Sequence, residues 1–210
     1  MDGILALSAM YMDSLDTHPL LTKSVTASMI TAASNFVSQF VTFRRKASES
    51  KTRATSDETS KERQKHYNKR DIVKYLFFGL LWVGPSSHFW QNALERLVPR
   101  RRGETKASWA LRKMLCDQIC YGPVGNAVFL GFIGRVIQGL SLGGTVRKVR
   151  REFVGTQVSG WCVWPFASVV NQYFVPIELR VGFLNFVAFF WSLYLMTTKG
   201  GKGKRAKKDV

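Results

Sequence analysis

The chain has 210 residues, and its 31 Lys and Arg against 14 Asp and Glu give a net charge of +17. These basic residues lie mainly in three segments and a tail, whereas the runs between them are almost uncharged. A soluble nucleic-acid-binding domain would instead collect its basic residues on one folded face. The distribution therefore argues against nucleic acid as a partner and makes the apolar runs the main signal.

Three cysteines, an odd number, do not suggest a disulfide framework. Cys116 and Cys120 are four residues apart, on one face of a predicted helix. No His or carboxylate cluster completes a metal site with them. We therefore expect small packing residues there, and no metal or cofactor.

Residues 1–18 form a short N-terminal segment with three aspartates and no basic residue. A mitochondrial presequence is rich in Arg and poor in acidic residues, and a signal peptide begins with a basic region, so neither fits. Residues 4–12 predict a short amphipathic helix lying at a membrane surface. Pro19 is expected to end it, because the residue before a proline disfavours the helical conformation.

The first uncharged run, residues 24–43, is rich in Ser, Thr and Ala. This composition is typical of a membrane helix that packs closely on other helices, although an amphipathic soluble helix is not excluded by hydropathy. The charged segment at about 44–70 has too few apolar residues to bury a core, so we expect a disordered loop. That loop is either a contact for anionic lipid headgroups or a plain solvated linker.

The second run, residues 75–94, is long enough to cross a hydrocarbon layer of ~30 Å. Pro85 in its middle predicts a helix kink. A histidine inside a membrane is a functional candidate by default, but His88 bonded to a neighbouring helix is the simpler interpretation. The third run, residues 114–140, includes Asp117, and Pro123 predicts a second kink.

Two more uncharged runs follow, residues 153–177 and 181–198. The first is long enough to span, and the second is near the lower limit of about 17 residues. Asn171 and Gln172 lie near the end of the first run, where amides need partners because hydrocarbon offers none. Further kinks are predicted at Pro165 and Pro176. The Gly- and Lys-rich tail, residues 199–210, is expected to be disordered.

The last two runs carry a pattern, W-P-x(5)-N-Q-Y-F-x-P-x(3)-R followed by N-F-x(4)-W-x-x-Y-L, that resembles the Mpv-17 / twenty-two-kilodalton peroxisomal membrane protein family. Shorter matches lie upstream in the same order as in the family. They extend the resemblance from about residue 11 to residue 195. The charged insert is longer than is usual in the family, and Gln91 stands where the family commonly has Tyr. The residues that carry the resemblance are Trp164, Pro165, Asn171, Gln172, Phe174, Pro176, Arg180, Asn185, Trp191 and Tyr194, with His18-Pro19, Gly84-Pro85, His88, Trp90, Lys113 and Asp117-Gln118 upstream.

These features predict an all-α fold, a multi-pass transmembrane helix bundle over residues 19–198. The resemblance implies four spans, with residues 181–195 at the interface or packed on the bundle. Counting the last two runs as separate spans gives five spans. Most basic residues then fall on one side of the membrane, as expected for one fixed orientation. Five spans is the open alternative.

No nucleophile elbow, phosphate-binding loop or metalloprotease motif is present, so we expect no enzyme activity. The remaining chemistry is polarity within apolar runs, where groups are kept if they pair or line water. One hypothesis is a hydrated pore, and the other is a network that locks the bundle, with Asp117 paired with Arg180 or another cation. The candidates are Gln39, His88, Asp117, Gln118, Asn171, Gln172, Glu178 and Arg180.

The resemblance implies a weakly selective channel for small solutes or ions that contributes to metabolite balance and membrane potential. A non-conducting structural or interaction subunit is the alternative. The resemblance also implies an integral protein of the mitochondrial inner membrane, which we favour, or of the peroxisomal membrane. Expected partners are the lipid bilayer and its anionic headgroups, and homo-oligomer formation is left open.

Overall fold

The computed structural model describes residues 2–51, 68–177 and 179–199, with side chains for 9–44, 68–177 and 179–195. The described residues form helices and no strands, which confirms the all-α prediction. Three π-helical turns, Gly79–Val83, Asp117–Tyr121 and Ile133–Ile137, are continuous with the neighbouring helices. The helices are α1 (Asp2–Thr17), α2 (Pro19–Lys51), α3 (Lys69–Phe78), α4 (Gly84–Leu97), α5 (Lys106–Cys116), α6 (Gly122–Phe132), α7 (Leu142–Trp161), α8 (Trp164–Phe174) and α9 (Arg180–Lys199).

Two boundaries differ from the predicted charged loop. Helix α2 continues through Lys51, and α3 already begins at Lys69, so part of the segment at about 44–70 is helical. Residues 52–67, the middle of that segment, and the predicted tail from residue 200 lie outside the described residues. At the N-terminus the predicted short helix is present, and α2 begins directly at Pro19, where a missing N–H costs nothing.

The chain reverses direction after α2 and again after the last π turn, as three contacts show. The Gln39 side chain near the end of α2 accepts from the Asn68 backbone N–H at 2.9 Å, at the start of α3. Lys74 Nζ donates to Val136 O at 2.8 Å, which places the last π turn beside α3. The start of α7 packs on that turn as well, because Thr145 lies against Gly134. We call this end of the bundle the basic end.

The opposite end collects the end of α4, the start of α5, the end of α8 and the start of α9. Lys106 Nζ lies 4.8 Å from the ring centre of Tyr173, which joins α5 to α8. Arg180 forms an ion pair with Glu95, which joins α9 to α4. We call this end the Glu95 end. Helix α9 then packs along α2, so it lies against the bundle rather than apart from it.

The predicted kink prolines lie near the starts of helices or between helices, rather than in the middle of a helix. Pro85 and Pro123 each follow a π turn, in which the preceding glycine N–H bonds the carbonyl five residues back. At these two positions the chain departs locally from a regular α-helix, since a proline nitrogen cannot donate. Pro165 is instead the second residue of α8, and Pro176 lies in the link before α9.

The predicted single span at residues 153–177 was wrong in two respects, because α7 already begins at Leu142 and because the run is divided between α7 and α8. Cys162 N and Val163 N bond carbonyls three residues back at 3.3 and 2.9 Å, a tight turn that ends α7. Two residues further on, the backbone nitrogen of Pro165 carries no hydrogen and cannot donate. Helices α7 and α8 together still run from the basic end to the Glu95 end.

Small residues let α2 approach its neighbours closely, as its composition predicted. A Cβ added to Gly79 would lie 2.5 Å from Ser28 Cα, and one added to Gly84 would overlap Ser24. Both glycines face α2 from the α3–α4 pass, with no room for a side chain. This is the small-residue packing typical of membrane helices.

Burial in the molecule is inverted relative to a soluble protein. Polar and charged residues outnumber apolar ones among the described buried residues, and many large apolar side chains are exposed, Leu81, Phe89, Ile119, Phe166 and Phe174 among them. Such a broad apolar exterior marks a surface that meets lipid or protein. In the described part, the helix Lys106–Ile137 is long and apolar enough to cross a membrane, and Arg180–Leu195 is apolar but shorter.

Candidate functional site

One carboxylate ties three helices together at the Glu95 end. Glu95, in the last turn of α4, forms ion pairs with Lys113 of α5 and with Arg180, the first residue of α9. The Lys113 side chain is fully buried, Arg180 is 8% exposed, and Glu95 is 27% exposed. Buried ion pairs are kept only where their geometry holds both charges, so this cluster fixes the relative positions of α4, α5 and α9.

Arg180 also reaches the end of α8. Its Nε donates to Val175 O at 3.1 Å, and a terminal nitrogen lies 3.5 Å from Gln172 O. The last carbonyls of a helix carry partial negative charge and favour a cation. Arg180 therefore connects the C-terminus of α8 to the carboxylate on α4.

Trp109 holds the buried Lys113 from the other side. The ammonium lies 3.9 Å from the centre of the Trp109 ring, a cation–π contact. The indole N–H of Trp109 donates to Val98 O at 2.8 Å, which fixes the ring. Apart from its ion pair with Glu95, the Lys113 ammonium makes no hydrogen bond with any described group.

A layer of amides lies one turn further into the bundle. Gln172 Nε2 donates to Gln91 Oε1 at 3.2 Å, across 81 residues of sequence. Gln172 Oε1 and both amide atoms of Asn171 are buried without a partner among the described residues. Each unpartnered group is strongly unfavourable in a dry interior, so this layer requires water or another polar molecule.

Asp117 belongs to a separate cluster in which it accepts two hydrogen bonds. Trp90 Nε1 donates to it at 2.8 Å and Gln118 Nε2 at 3.1 Å. Trp90 stacks on Tyr121 with ring centres 5.5 Å apart, and Tyr121 shares a 3.0 Å hydrogen bond with Ser86. This cluster joins α4 to the π turn after α5.

The predicted pairing of Asp117 with Arg180 was therefore wrong. Arg180 pairs with Glu95, and no described cation contacts Asp117. Sequence reasoning placed Glu95 at the boundary of a span and did not consider it as a partner. The physical reason for the actual pairing is position, because Glu95 and Arg180 lie at the same end of antiparallel passes.

The other candidates do not join these clusters. Gln39 bonds Asn35 and Asn68 at the basic end. His88 Nε2 lies 3.2 Å from the Asn92 amide nitrogen one turn along α4, and its Nδ1 is buried without a described partner. Glu178 lies outside the described residues.

Several polar residues of the interior were missed by the sequence reasoning. Glu95, Gln91 and Lys113 were treated as span boundaries or family matches. In α7, Lys148 and Glu152 form a buried pair at 2.8 Å within a segment of basic residues. Gln157 accepts from the Asn126 amide at 2.9 Å. The i, i+4 spacing of Lys148 and Glu152 was the available signal.

Outside the apolar layer, the loop between α4 and α5 has an ordered acidic residue. Hydrogen bonds from Arg112 and from the Arg101 backbone lower the pKa of Glu104 from 4.5 to about 2. Glu104 is therefore ionised and already paired. It does not act as a second carboxylate for the Lys113 and Arg180 cluster.

Two surface grooves of the described residues are lined mainly by apolar groups. One lies between the end of α7 and α9 and includes Cys162 and Phe190, and the other lies between α1 and α2 and includes Val25. Neither contains a member of the Glu95 cluster.

The chain is similar to a family of organelle membrane proteins. Residues 135–196 match the model of the Mpv17 / PMP22 family. The chain is 34% identical over 130 residues to the mitochondrial inner membrane protein Mpv17 of Danio rerio, covering 62% of this chain and 71% of that one. It is 25% identical over 185 residues to the peroxisomal membrane protein PMP22 of Arabidopsis thaliana, covering 88% and 85%. No solved structure matches.

Proposed function

The chain belongs to the Mpv17 / PMP22 family and is an integral organelle membrane protein, and we propose that it forms a weakly selective channel for small solutes or ions. The single observation that carries this proposal is the amide layer. Asn171 and Gln172 bury three polar atoms that have no partner among the described residues, inside a bundle whose exterior is largely apolar. Water in contact with these atoms would supply their hydrogen bonds and a hydrated path.

The proposed bundle has five passes: α2, α3–α4, α5–α6, α7–α8 and α9. Alternating directions and the packing of α9 along α2 support five rather than four. Lys and Arg then concentrate at the basic end, which the positive-inside rule assigns to one side of the membrane. The four spans that the resemblance implies would leave the 20-residue helix α9 along the interface or packed on the bundle without crossing the membrane.

We propose the mitochondrial inner membrane as the location, since the Danio rerio relative is named for it. The peroxisomal membrane is the alternative, because other relatives are named for that. In either membrane the channel would contribute to metabolite balance and membrane potential. The proposal assigns no catalytic role to any residue.

A structural role is the second candidate, and the Glu95 cluster favours it. One carboxylate holds three helices, and a fourth supplies carbonyls to Arg180. Such a cluster fixes helix positions whether or not solute passes. A non-conducting scaffold would need these contacts but not a hydrated amide layer.

Single-channel recording on the purified full-length protein in planar bilayers tests the proposal. We expect discrete current steps that are absent from bilayers given a mock purification. Protein that inserts as a folded monomer or oligomer and never conducts, under salt gradients or applied voltage, would contradict the channel and favour the scaffold.

A further inference from the structure

Among the described residues, the Glu95 end of the bundle holds more buried positive charge than negative charge. Lys113 and Arg180 both pair with Glu95, which is the one carboxylate that contacts either of them among the described residues. Glu104, another acidic side chain at this end, is held by Arg112, and Glu178 lies outside the described residues. A buried charge without a counter-charge is strongly unfavourable, and the described part of the cluster has one positive charge in excess.

The groups around the cluster can bind an anion. Lys113 has N–H groups with no hydrogen-bond acceptor in the described part of the molecule, and the Asn171 amide nitrogen has none either. Both side chains are fully buried, and Asn171 precedes Gln172, whose carbonyl lies beside Arg180. Lys113 and Arg180 offer two cations and the Asn171 amide on α8 offers a neutral donor, and such groups suit carboxylate or phosphate oxygens.

We propose that the Lys113, Arg180 and Asn171 cluster is a binding site for a small anionic solute that carries a carboxylate or phosphate group. The site opens toward the Glu95 end, since Glu95 is the partly exposed member of the cluster. This inference rests on the proposed function, because the bound anion would be a solute of the proposed channel, and it specifies the chemical class of that solute. Binding itself is measurable without transport.

The test is thermal unfolding of the full-length protein in detergent, with inorganic phosphate as the probe. Phosphate is titrated at constant ionic strength against a bulky sulfonate buffer anion. A ligand that binds only the folded state raises the unfolding midpoint with the logarithm of its concentration. We expect that rise for the wild-type chain and a larger one for Glu95→Gln, which removes the competing negative charge.

The matched variants are Lys113→Met and Lys148→Met, each removing one buried cation. Lys148 pairs with Glu152 in α7, away from the Glu95 cluster. We expect Lys113→Met to lose the phosphate dependence and Lys148→Met to keep it. If Lys113→Met does not fold, the enlarged dependence of Glu95→Gln carries the test, because the Gln amide oxygen, unlike an alanine side chain, still accepts hydrogen bonds from Lys113 and Arg180.

A wild-type unfolding midpoint that does not change with phosphate concentration would overturn the inference. So would equal phosphate dependence in the two lysine variants. Phosphate dependence that appears only in Glu178→Gln would also overturn it, since Glu178 would then be the missing counter-charge. Phosphate binding without conductance would support the anion site and contradict the channel. Conductance without phosphate binding would support the channel and contradict the anion site.

Discussion

At the residue scale, single polar side chains carry contacts that apolar packing would supply in a soluble protein. Glu95 is the clearest example, because three helices meet at its carboxylate. Lipid gives helices little hydrophobic reason to associate, so packing, hydrogen bonds and ion pairs determine their arrangement. The consequence is that one polar atom in the right position can matter more than a large apolar side chain.

Glu95→Ala should therefore be strongly destabilising. It leaves two buried cations without their carboxylate, a loss of about 3–5 kcal/mol for a broken buried pair. The measurement is thermal unfolding in detergent, together with yield of folded protein. Asp13→Asn, at an exposed position in α1, is the control and should change little. An equally small effect of both substitutions would mean that the ion cluster does not hold the bundle.

Glu104 gives a prediction about pH. Its folded-state pKa, about 2, is below the ordinary 4.5, so its contribution to stability is complete above about 4.5. The contribution is lost as the pH falls from about 4.5 toward 2, because the unfolded state takes up the proton first. Unfolding midpoints of wild type and Glu104→Gln between pH 2 and 6 check this. The wild type should fall more steeply with acid, and parallel curves would contradict the assignment.

At the scale of the element, close approach between helices depends on glycine. Gly84 has no room for a methyl group because Ser24 of α2 occupies the space. Gly125, in α6, has nothing within 4 Å of the position of a Cβ. The pair differs only in its surroundings, since both lie in helices.

Gly84→Ala should destabilise the protein by about 1–3 kcal/mol or more through overpacking. Gly125→Ala should be neutral or slightly stabilising, because alanine is the better helix former. Thermal unfolding of both variants in the same detergent checks the difference. Equal midpoints would show that α2 can move away from α4 at no cost.

The sequence predicts the positions of these helices better than it predicts their breaks and contacts. Uncharged runs located the helices well, because exclusion of charge is a property of whole segments. The sequence predicted a kink at Pro165 but not that α7 ends before it, since Cys162 and Val163 look like ordinary helix residues. Partners of buried charges were missed for another reason. Whether Arg180 meets Glu95 or Asp117 depends on which helix ends lie together, and that is tertiary information.

At the scale of the whole molecule, the five proposed passes would determine on which side of the membrane each segment lies. The N-terminal segment would be on the side of the Glu95 end. The insert at residues 52–67 and the C-terminal tail would both be on the side of the basic end. A four-span bundle would instead put the tail on the same side as the N-terminal segment.

Protease protection in sealed organelles distinguishes these arrangements. Epitope tags are placed at the N-terminus, within residues 52–67 and at the C-terminus, one per protein. We expect the insert tag and the C-terminal tag to share one accessibility and the N-terminal tag to have the other. Matching accessibility of the two terminal tags would favour four passes.

The central claim is that water reaches the amide layer inside an apolar-faced bundle. A single cysteine at position 171, in a chain whose Cys116, Cys120 and Cys162 are changed to Ser, tests it in reconstituted vesicles. A charged, membrane-impermeant thiosulfonate reagent reacts with thiolates, which form only in contact with water. Phe166→Cys in the same background is the control, because Phe166 is 76% exposed on the apolar exterior and should face lipid. We predict that the cysteine at 171 reacts and that conductance falls as it does, while the cysteine at 166 stays unmodified. An unreactive cysteine at 171 in folded protein would contradict the hydrated interior and, with it, the channel.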